Sequence, residues 1–90
     1  MNYLPTLDNL NLSRNCIYRI KGLNTQLNIR ELNLSHNFIE RIQGLEELIQ
    51  LSILNLSYNK ITDIKEVKKL KKNKKLHSLS IEVNPFIGLM

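Results

Sequence analysis

The sequence is poor in cysteine, proline and aromatic residues, and it has no long apolar run. Its single cysteine, Cys16, cannot form a disulfide within the chain, which excludes the covalent framework of small secreted domains. The N-terminus lacks a charged start followed by an apolar stretch, and charged or amide residues interrupt every apolar run. We therefore expect an intracellular, soluble chain without a membrane span.

The net charge is also small outside one segment. The formal net charge is +5, but residues 65–75 contain seven lysines and one glutamate and so carry +6 by themselves, leaving −1 for the rest. We call residues 65–75 the basic segment. Only this segment could bind phosphates or an anionic surface through its charge.

What the sequence does have is leucine and isoleucine in a repeating order. Pairs of these residues recur two positions apart, and an asparagine follows each pair at a fixed distance. The asparagines are Asn15, Asn37, Asn59 and Asn84, which stand 22, 22 and 25 residues apart. A period of this length is typical of a solenoid. We expect one domain over residues 1–90, with repeats at about 5–26, 27–48, 49–73 and 74–90.

Each repeat begins with a pattern that predicts a short strand. Leu10, Asn11 and Leu12 alternate with period two, so the two leucines face the core and Asn11 faces the other side. The asparagine that follows belongs in a tight bend, where its amide can satisfy backbone groups left unpaired, and its copies should form a ladder. Apolar residues at spacings of three then favour a turn-rich or 3₁₀ convex side, because 22 residues leave little room for a full helix.

The third repeat departs from this pattern in two ways. Glu66 stands where Gly22 and Gly44 stand in the earlier repeats, so the return bend must be made differently there. Three additional residues fall within residues 71–75, and the apolar residues among the lysines predict a helical turn or two.

Residues 10–17, 32–39 and 54–61 all read L-N-L-S-x-N-x-I. They resemble the leucine-rich repeat family in its 22-residue subclass, typified by the nuclear regulatory subunit of protein phosphatase 1. The resemblance implies an α/β solenoid, a right-handed superhelix of about four repeats with a parallel concave sheet and short 3₁₀ or helical convex segments. It also implies a non-enzymatic protein-interaction scaffold, as in phosphatase-regulatory or axonemal and ciliary subunits. The implied location is the cytoplasm, with the nucleus and the axoneme as alternatives.

The reactive side chains do not form a catalytic or metal-binding set. His36 and His77 lie two repeats apart at different strand positions, Cys16 is alone, and no Gly-rich phosphate loop is present. No Ser-His-Asp or Cys-His set can be drawn without placing its members on different turns of the solenoid. We expect no enzyme activity, metal, cofactor or small-molecule substrate.

Side chains between the leucines point out of the concave face and form columns that cross the sheet. Two columns at the start of the strands and one at their exit vary in charge and size, which indicates contact with a protein partner. The predicted partner-binding residues are Asp8, Asn9, Arg14, Arg30, Glu31, His36, Ser52, Ile53, Tyr58 and His77. The central columns, mostly Asn and Ser, are interpreted as scaffold.

An alternative function is nucleic-acid or acidic-surface binding through the basic segment. Its lysines are Lys65, Lys68, Lys69, Lys71, Lys72, Lys74 and Lys75. The run has no interleaved aromatic residues to stack on bases, so a solvated convex face is the favoured interpretation and nucleic acid is disfavoured.

The ends of the chain carry a further expectation. The first strand begins after few residues, and Leu89 and Met90 follow the last repeat without a polar cap. Open strand edges and exposed leucines associate with other chains. The sequence therefore predicts a fragment of a longer repeat protein that self-associates through uncapped ends.

Overall fold

The computed structural model describes residues 7–86. In chain order the elements are β1 (Asn9–Asn11), β2 (Glu31–Asn33), β3 (Ile53–Asn55), a 3₁₀ helix (Ile64–Lys72) and β4 (Ser78–Ser80). The expected uncapped terminus at Leu89 and Met90, and residues 5–6 of the repeat predicted at 5–26, lie outside the described residues.

The four strands form one parallel sheet in the order β1-β2-β3-β4, which confirms the predicted parallel sheet. Their register places Leu10, Leu32, Leu54 and Leu79 in one row across the sheet. Backbone bonds continue past the strand ends, as from the Leu12 N–H to the carbonyl of Asn33 at 2.8 Å. Each strand is short because the leucine alternation lasts only three residues before the bend.

The core consists almost entirely of leucine and isoleucine from successive turns of the chain. Leu34, Leu56 and Ile61 are at most 1% exposed, and they share the core with the rows of leucines beneath the sheet. Burial of each such side chain contributes about 1.5–3 kcal/mol as an upper bound. One face of every strand is thus committed to packing, and the opposite face remains available.

An asparagine amide holds each bend after a strand. The Oδ1 of Asn37 accepts from the backbone N–H groups of Asn15 and Ile17 at 3.2 and 3.0 Å. Its Nδ2 donates to the carbonyls of Leu12 and Leu34 at 3.1 and 3.0 Å. Because Asn37 is only 4% exposed, these bonds satisfy a side-chain amide that is shielded from water. One side chain therefore joins two consecutive turns.

The residue before each bend asparagine adopts the left-handed conformation. The φ angles are 58° for Arg14, 57° for His36, 59° for Tyr58 and 56° for Val83. A residue with a Cβ is disfavoured there by about 1–2 kcal/mol, and a β-branched residue such as Val83 is an outlier. The bend imposes this geometry at every strand, so the side chains at this position were not chosen for backbone preference.

The return bends use two different devices. Gly22 and Gly44 have positive φ angles of 81° and 74°, and a Cβ on Gly44 would lie 2.5 Å from the carbonyl oxygen of Ile20. In the third turn the bend is replaced by the 3₁₀ helix. The carboxylate of Glu66 accepts from the backbone N–H of Ile42 at 2.9 Å. The Glu66 side chain thus links two turns at the position equivalent to Gly44, where the absence of a Cβ allows close backbone approach.

Besides the bond from Ile42 to Glu66, a buried asparagine attaches the inserted residues to the preceding turn. Asp63 caps the helix by accepting from the Lys65 N–H at 2.9 Å, and Leu70 is its buried residue. Asn73, only 4% exposed, donates through Nδ2 to the carbonyls of Leu45 and Leu48 at 2.9 and 3.2 Å. The insertion is therefore an ordered part of the fold rather than a loose loop.

Candidate protein-interaction surface

The outward side chains of the sheet form what we call the sheet face. The register aligns Asn9, Glu31, Ile53 and Ser78 in one row, and all four are exposed. Ile53 is 37% exposed although it lies in the middle of the row. Asn9 and Glu31 make only a long bond of 3.4 Å, from Nδ2 to Oε1. This row presents an amide, a carboxylate, an apolar group and a hydroxyl side by side.

The neighbouring row at the start of the strands contains Asp8, Arg30, Ser52 and His77. Their backbone groups extend the ladder: the Asp8 carbonyl accepts from the Arg30 N–H at 2.8 Å, and the Arg30 carbonyl accepts from Ser52 at 2.8 Å. Asp8, Arg30 and His77 have exposed side chains, whereas Ser52 is half-buried and donates its hydroxyl to the carbonyl of Gln50 at 3.0 Å. Ser52 is therefore less accessible than the other three residues of this row.

The central row of the sheet face is a line of amide donors. Asn11, Asn33 and Asn55 each accept, through Oδ1, from the backbone N–H of the serine two residues later at 2.9–3.0 Å. Within residues 7–86 no acceptor for their Nδ2 groups is present. The side-chain oxygen of each asparagine thus accepts a bond within the fold, and its N–H₂ group remains available to another molecule.

The exit column brings two of the predicted contact residues together. The rings of His36 and Tyr58 stack with their centroids 4.2 Å apart and their planes 10° apart. Arg14 and Val83 occupy the same position on the flanking turns, and both are exposed. Since all four have left-handed backbones, their side chains project at the edge where the strands end.

Glu82 is a charged residue of this edge that the sequence analysis did not select. The hydroxyl of Ser57 donates to its Oε1 at 2.7 Å. That bond, aided by the backbone N–H of Glu82 itself, lowers the pKa of the Glu82 carboxyl below its ordinary value. The available signal was that Glu82 takes the place of the serines at positions 13, 35 and 57.

Two exposed aromatic residues beyond the bend were also missed. Tyr18 is 74% exposed and Phe38 is 44% exposed, with ring centroids 6.4 Å apart and planes tilted by 43°. Phe38 lies two residues after His36, on the other side of the bend asparagine. The signal in the sequence was that the equivalent positions of neighbouring repeats, Glu40 and Thr62 for Tyr18 and Cys16 and Lys60 for Phe38, hold no aromatic residue.

The basic segment lies between β3 and β4, so none of its lysines is on a strand. All seven lysines are exposed. Lys69 pairs with Glu66 at 2.8 Å, and Lys75 donates to the side-chain oxygen of Gln50 at 2.9 Å. The segment is therefore separate from the sheet face.

Within residues 7–86, His, Cys, Asp and Glu side chains form no group of three that could hold a metal ion. The helix described in that range is too short and too polar to cross a membrane.

Comparison with known proteins agrees with the geometry. Residues 27–69 match the family model of leucine-rich repeats, with two copies, and this range contains β2, β3 and the bends that follow them. No curated protein matches the chain. Leucine-rich repeat domains bind protein partners and are typically non-enzymatic. The match, together with the same bend and ladder at successive strands, identifies residues 27–69 as leucine-rich repeats.

Proposed function

We propose that this chain is a non-enzymatic scaffold that binds a protein partner on its sheet face, the concave side of a right-handed superhelix of about four repeats. The observation that supports this is the row Asn9, Glu31, Ile53 and Ser78, in which the outward residue changes chemistry at each strand above a constant row of leucines. Packing of the core explains the constant row of leucines but not the variation in the outward row. Contact with a partner that has its own pattern of chemical groups explains that variation.

The sheet face also defines what the partner must offer. The free amide groups of Asn11, Asn33 and Asn55 are spaced by neighbouring strands, about 4.8 Å apart, and can donate to acceptor oxygens at that interval. Ile53 provides an apolar contact among them. Carbonyl and carboxylate oxygens of a polypeptide segment beside an apolar side chain meet both requirements.

The finer identity belongs to the same proposal. The octets that read L-N-L-S-x-N-x-I and the 22-residue spacing support the subclass that resembles the nuclear regulatory subunit of protein phosphatase 1. We propose accordingly a phosphatase-regulatory or an axonemal or ciliary role, a cytoplasmic, nuclear or axonemal location, and a place within a longer repeat protein.

Affinity capture from cell extract, followed by titration with the purified captured protein, tests the proposal. Ile53→Ala and Tyr58→Ala should weaken binding by about tenfold or more if they contact the partner directly. Ile49→Ala is the matched control, because Ile49 is 60% exposed but lies outside the strands. The seven lysines of the basic segment are replaced by glutamine in a separate variant.

The dependence of binding affinity on salt concentration distinguishes the two candidate functions. A phosphate-driven complex loses affinity steeply as salt rises, whereas an interface on the sheet face is less sensitive. If only the lysine variant lost its partner, the basic segment would be the binding site and the sheet-face proposal would be wrong.

A further inference from the structure

Three of the five aromatic residues in the chain, Tyr18, Phe38 and Tyr58, follow each other at intervals of 20 residues. Because the asparagines of these turns stand 22 apart, each step moves the aromatic residue two positions toward the sheet face. Tyr18 lies three residues after its bend asparagine, Phe38 one residue after, and Tyr58 one residue before. The aromatics therefore cross the bends obliquely, from the far side of the bend to the sheet face.

These aromatics form one continuous surface. Tyr18 and Phe38 line a groove of about 490 Å³ together with Lys60, Thr62 and Pro85. Phe38 and Lys60 also line the adjoining depression, which includes the stacked rings of His36 and Tyr58. We call Tyr18, Phe38, His36 and Tyr58 the aromatic diagonal.

The repeat scaffold does not require aromatic residues at these positions. Within residues 7–86, the positions equivalent to Tyr18 hold Glu40 and Thr62, and those equivalent to Phe38 hold Cys16, Lys60 and Pro85. All of these residues are exposed. Tyr58 is 50% exposed in spite of its stacking with His36, so none of the three aromatic residues belongs to the core. Exposed apolar surface that packing does not need marks an interaction site.

The charges beside the diagonal specify the partner. Arg19 and Arg41 line a further cavity with Tyr18, and Lys60 lines the depression that contains Phe38 and Tyr58. Only Glu40 opposes them in these cavities. Cations beside aromatic rings complement carboxylates beside apolar side chains.

We propose that the aromatic diagonal binds an extended acidic segment of a partner protein. Its apolar side chains lie on Phe38 and Tyr18, and its carboxylates pair with Lys60 and the two arginines. This site rests on the proposed function only through His36 and Tyr58, which belong to both surfaces. Tyr18 and Phe38 lie beyond the sheet face and distinguish the two.

Single-stranded nucleic acid is the competing ligand, because it also binds aromatic rings flanked by cations. One feature of the diagonal favours a peptide. Pro85 lines the groove with Tyr18 and Phe38 and provides an aliphatic wall that suits apolar side chains.

The experiment selects a random 12-residue peptide display library on the whole chain. We expect the selected peptides to be enriched in Asp and Glu next to Phe, Leu or Ile. One selected peptide, labelled with a fluorophore, is then titrated against variants by anisotropy. Phe38→Ala and Tyr18→Ala should each weaken binding by about tenfold. Lys60→Gln should weaken it and reduce its dependence on salt.

Two controls keep the outcome interpretable. Leu27→Ala removes an apolar side chain that is 49% exposed and absent from these cavities, and it should leave peptide binding unchanged. Ile53→Ala tests the sheet face: undiminished capture of the partner by this variant would contradict the proposed function, and full peptide binding by the same variant would leave the diagonal intact.

Three results would overturn the diagonal. The first is a set of selected peptides without enrichment of acidic and apolar residues. The second is peptide binding that neither Phe38→Ala nor Tyr18→Ala changes. The third is a labelled 12-nucleotide dT strand that binds more tightly than the peptide and loses affinity with Phe38→Ala. The last of these would assign the surface to nucleic acid.

Discussion

Replacement of Gly44 by alanine should destabilise the chain far more than the same replacement at Gly22. Both glycines have positive φ angles, 74° and 81°, so an alanine at either site suffers similar backbone strain. Only their surroundings differ. A Cβ at Gly44 would lie 2.5 Å from the carbonyl oxygen of Ile20 and 3.3 Å from its carbon, whereas a Cβ at Gly22 would meet nothing within 4 Å.

The magnitudes follow from this difference. Left-handed strain costs an alanine about 1–2 kcal/mol, and the stiffer unfolded chain returns about 0.4–1 kcal/mol. Gly22→Ala should therefore lower the free energy of unfolding by about 1 kcal/mol. At Gly44 the overlap adds about 1–3 kcal/mol, because the obstacle is backbone and cannot rotate away. We expect a total of about 2–4 kcal/mol for Gly44→Ala.

Urea denaturation of the two variants and the parent chain measures both values, provided that the slopes agree. The comparison isolates the contact with Ile20, since chemistry and backbone region are shared. Equal losses of stability at the two glycines, within about 0.5 kcal/mol, would show that the second return bend does not press against the first.

Three further predictions concern polar groups. Asn37→Ala should cost about 1–3 kcal/mol in urea melts by leaving buried bend groups unpaired, and Asn15→Ala, whose amide is exposed, should cost less; the reverse order would contradict the ladder. Glu66→Ala should cost about 1–3 kcal/mol through loss of a backbone acceptor, and Glu66→Gln, which keeps an oxygen there, should restore most of it in thermal melts. Ser57→Ala should raise the pKa of Glu82 toward its ordinary value, as NMR titration of the carboxyl carbon would record. Because that pKa is lowered in the fold, the bond stabilises the parent chain above the ordinary glutamate pKa and is lost as pH falls through the lowered value; an unchanged titration in the variant would refute the role of the hydroxyl.

The sequence was sufficient for the sheet because leucine alternation reports burial directly. Leu32 and Leu34 must share one side of a strand, and an exact 22-residue copy at Leu54 and Leu56 must lie beside them in register. The left-handed bend could not be predicted in the same way. Arg, His, Tyr and Val have no common preference for that conformation, so the bend imposes it through the asparagine that follows.

Asn73 shows a second limit. An asparagine among lysines suggests a solvated residue, and only the fold reveals that its amide reaches the carbonyls of Leu45 and Leu48. A three-residue insertion has no counterpart in the other repeats from which its contacts could be inferred. The 3₁₀ helix was more accessible to prediction, because Leu70 is an apolar residue surrounded by lysines.

The sheet-face residues could be chosen from the sequence because the columns follow the period. Whether a partner touches them stays a prediction. The stacking of His36 on Tyr58 and the aromatic diagonal depend on how far one turn is displaced from the next, and the amino-acid sequence does not show that displacement. The 20-residue interval of Tyr18, Phe38 and Tyr58 is visible in the sequence. Its comparison with the 22-residue spacing of the bend asparagines shows that the three residues lie on an oblique line.

The asparagine ladder also orders the way in which the chain opens. Three of the bend amides accept from an isoleucine N–H of the turn before: Ile17 donates to Asn37, Ile39 to Asn59, and Ile61 to Asn84. When one turn separates from the stack, the backbone N–H of one isoleucine in the turn before it loses its hydrogen bond. The bond between the next isoleucine and its asparagine stays intact. Solvent exchange at these three amides would proceed as a graded sequence from the detached end, so each isoleucine records how many turns have separated.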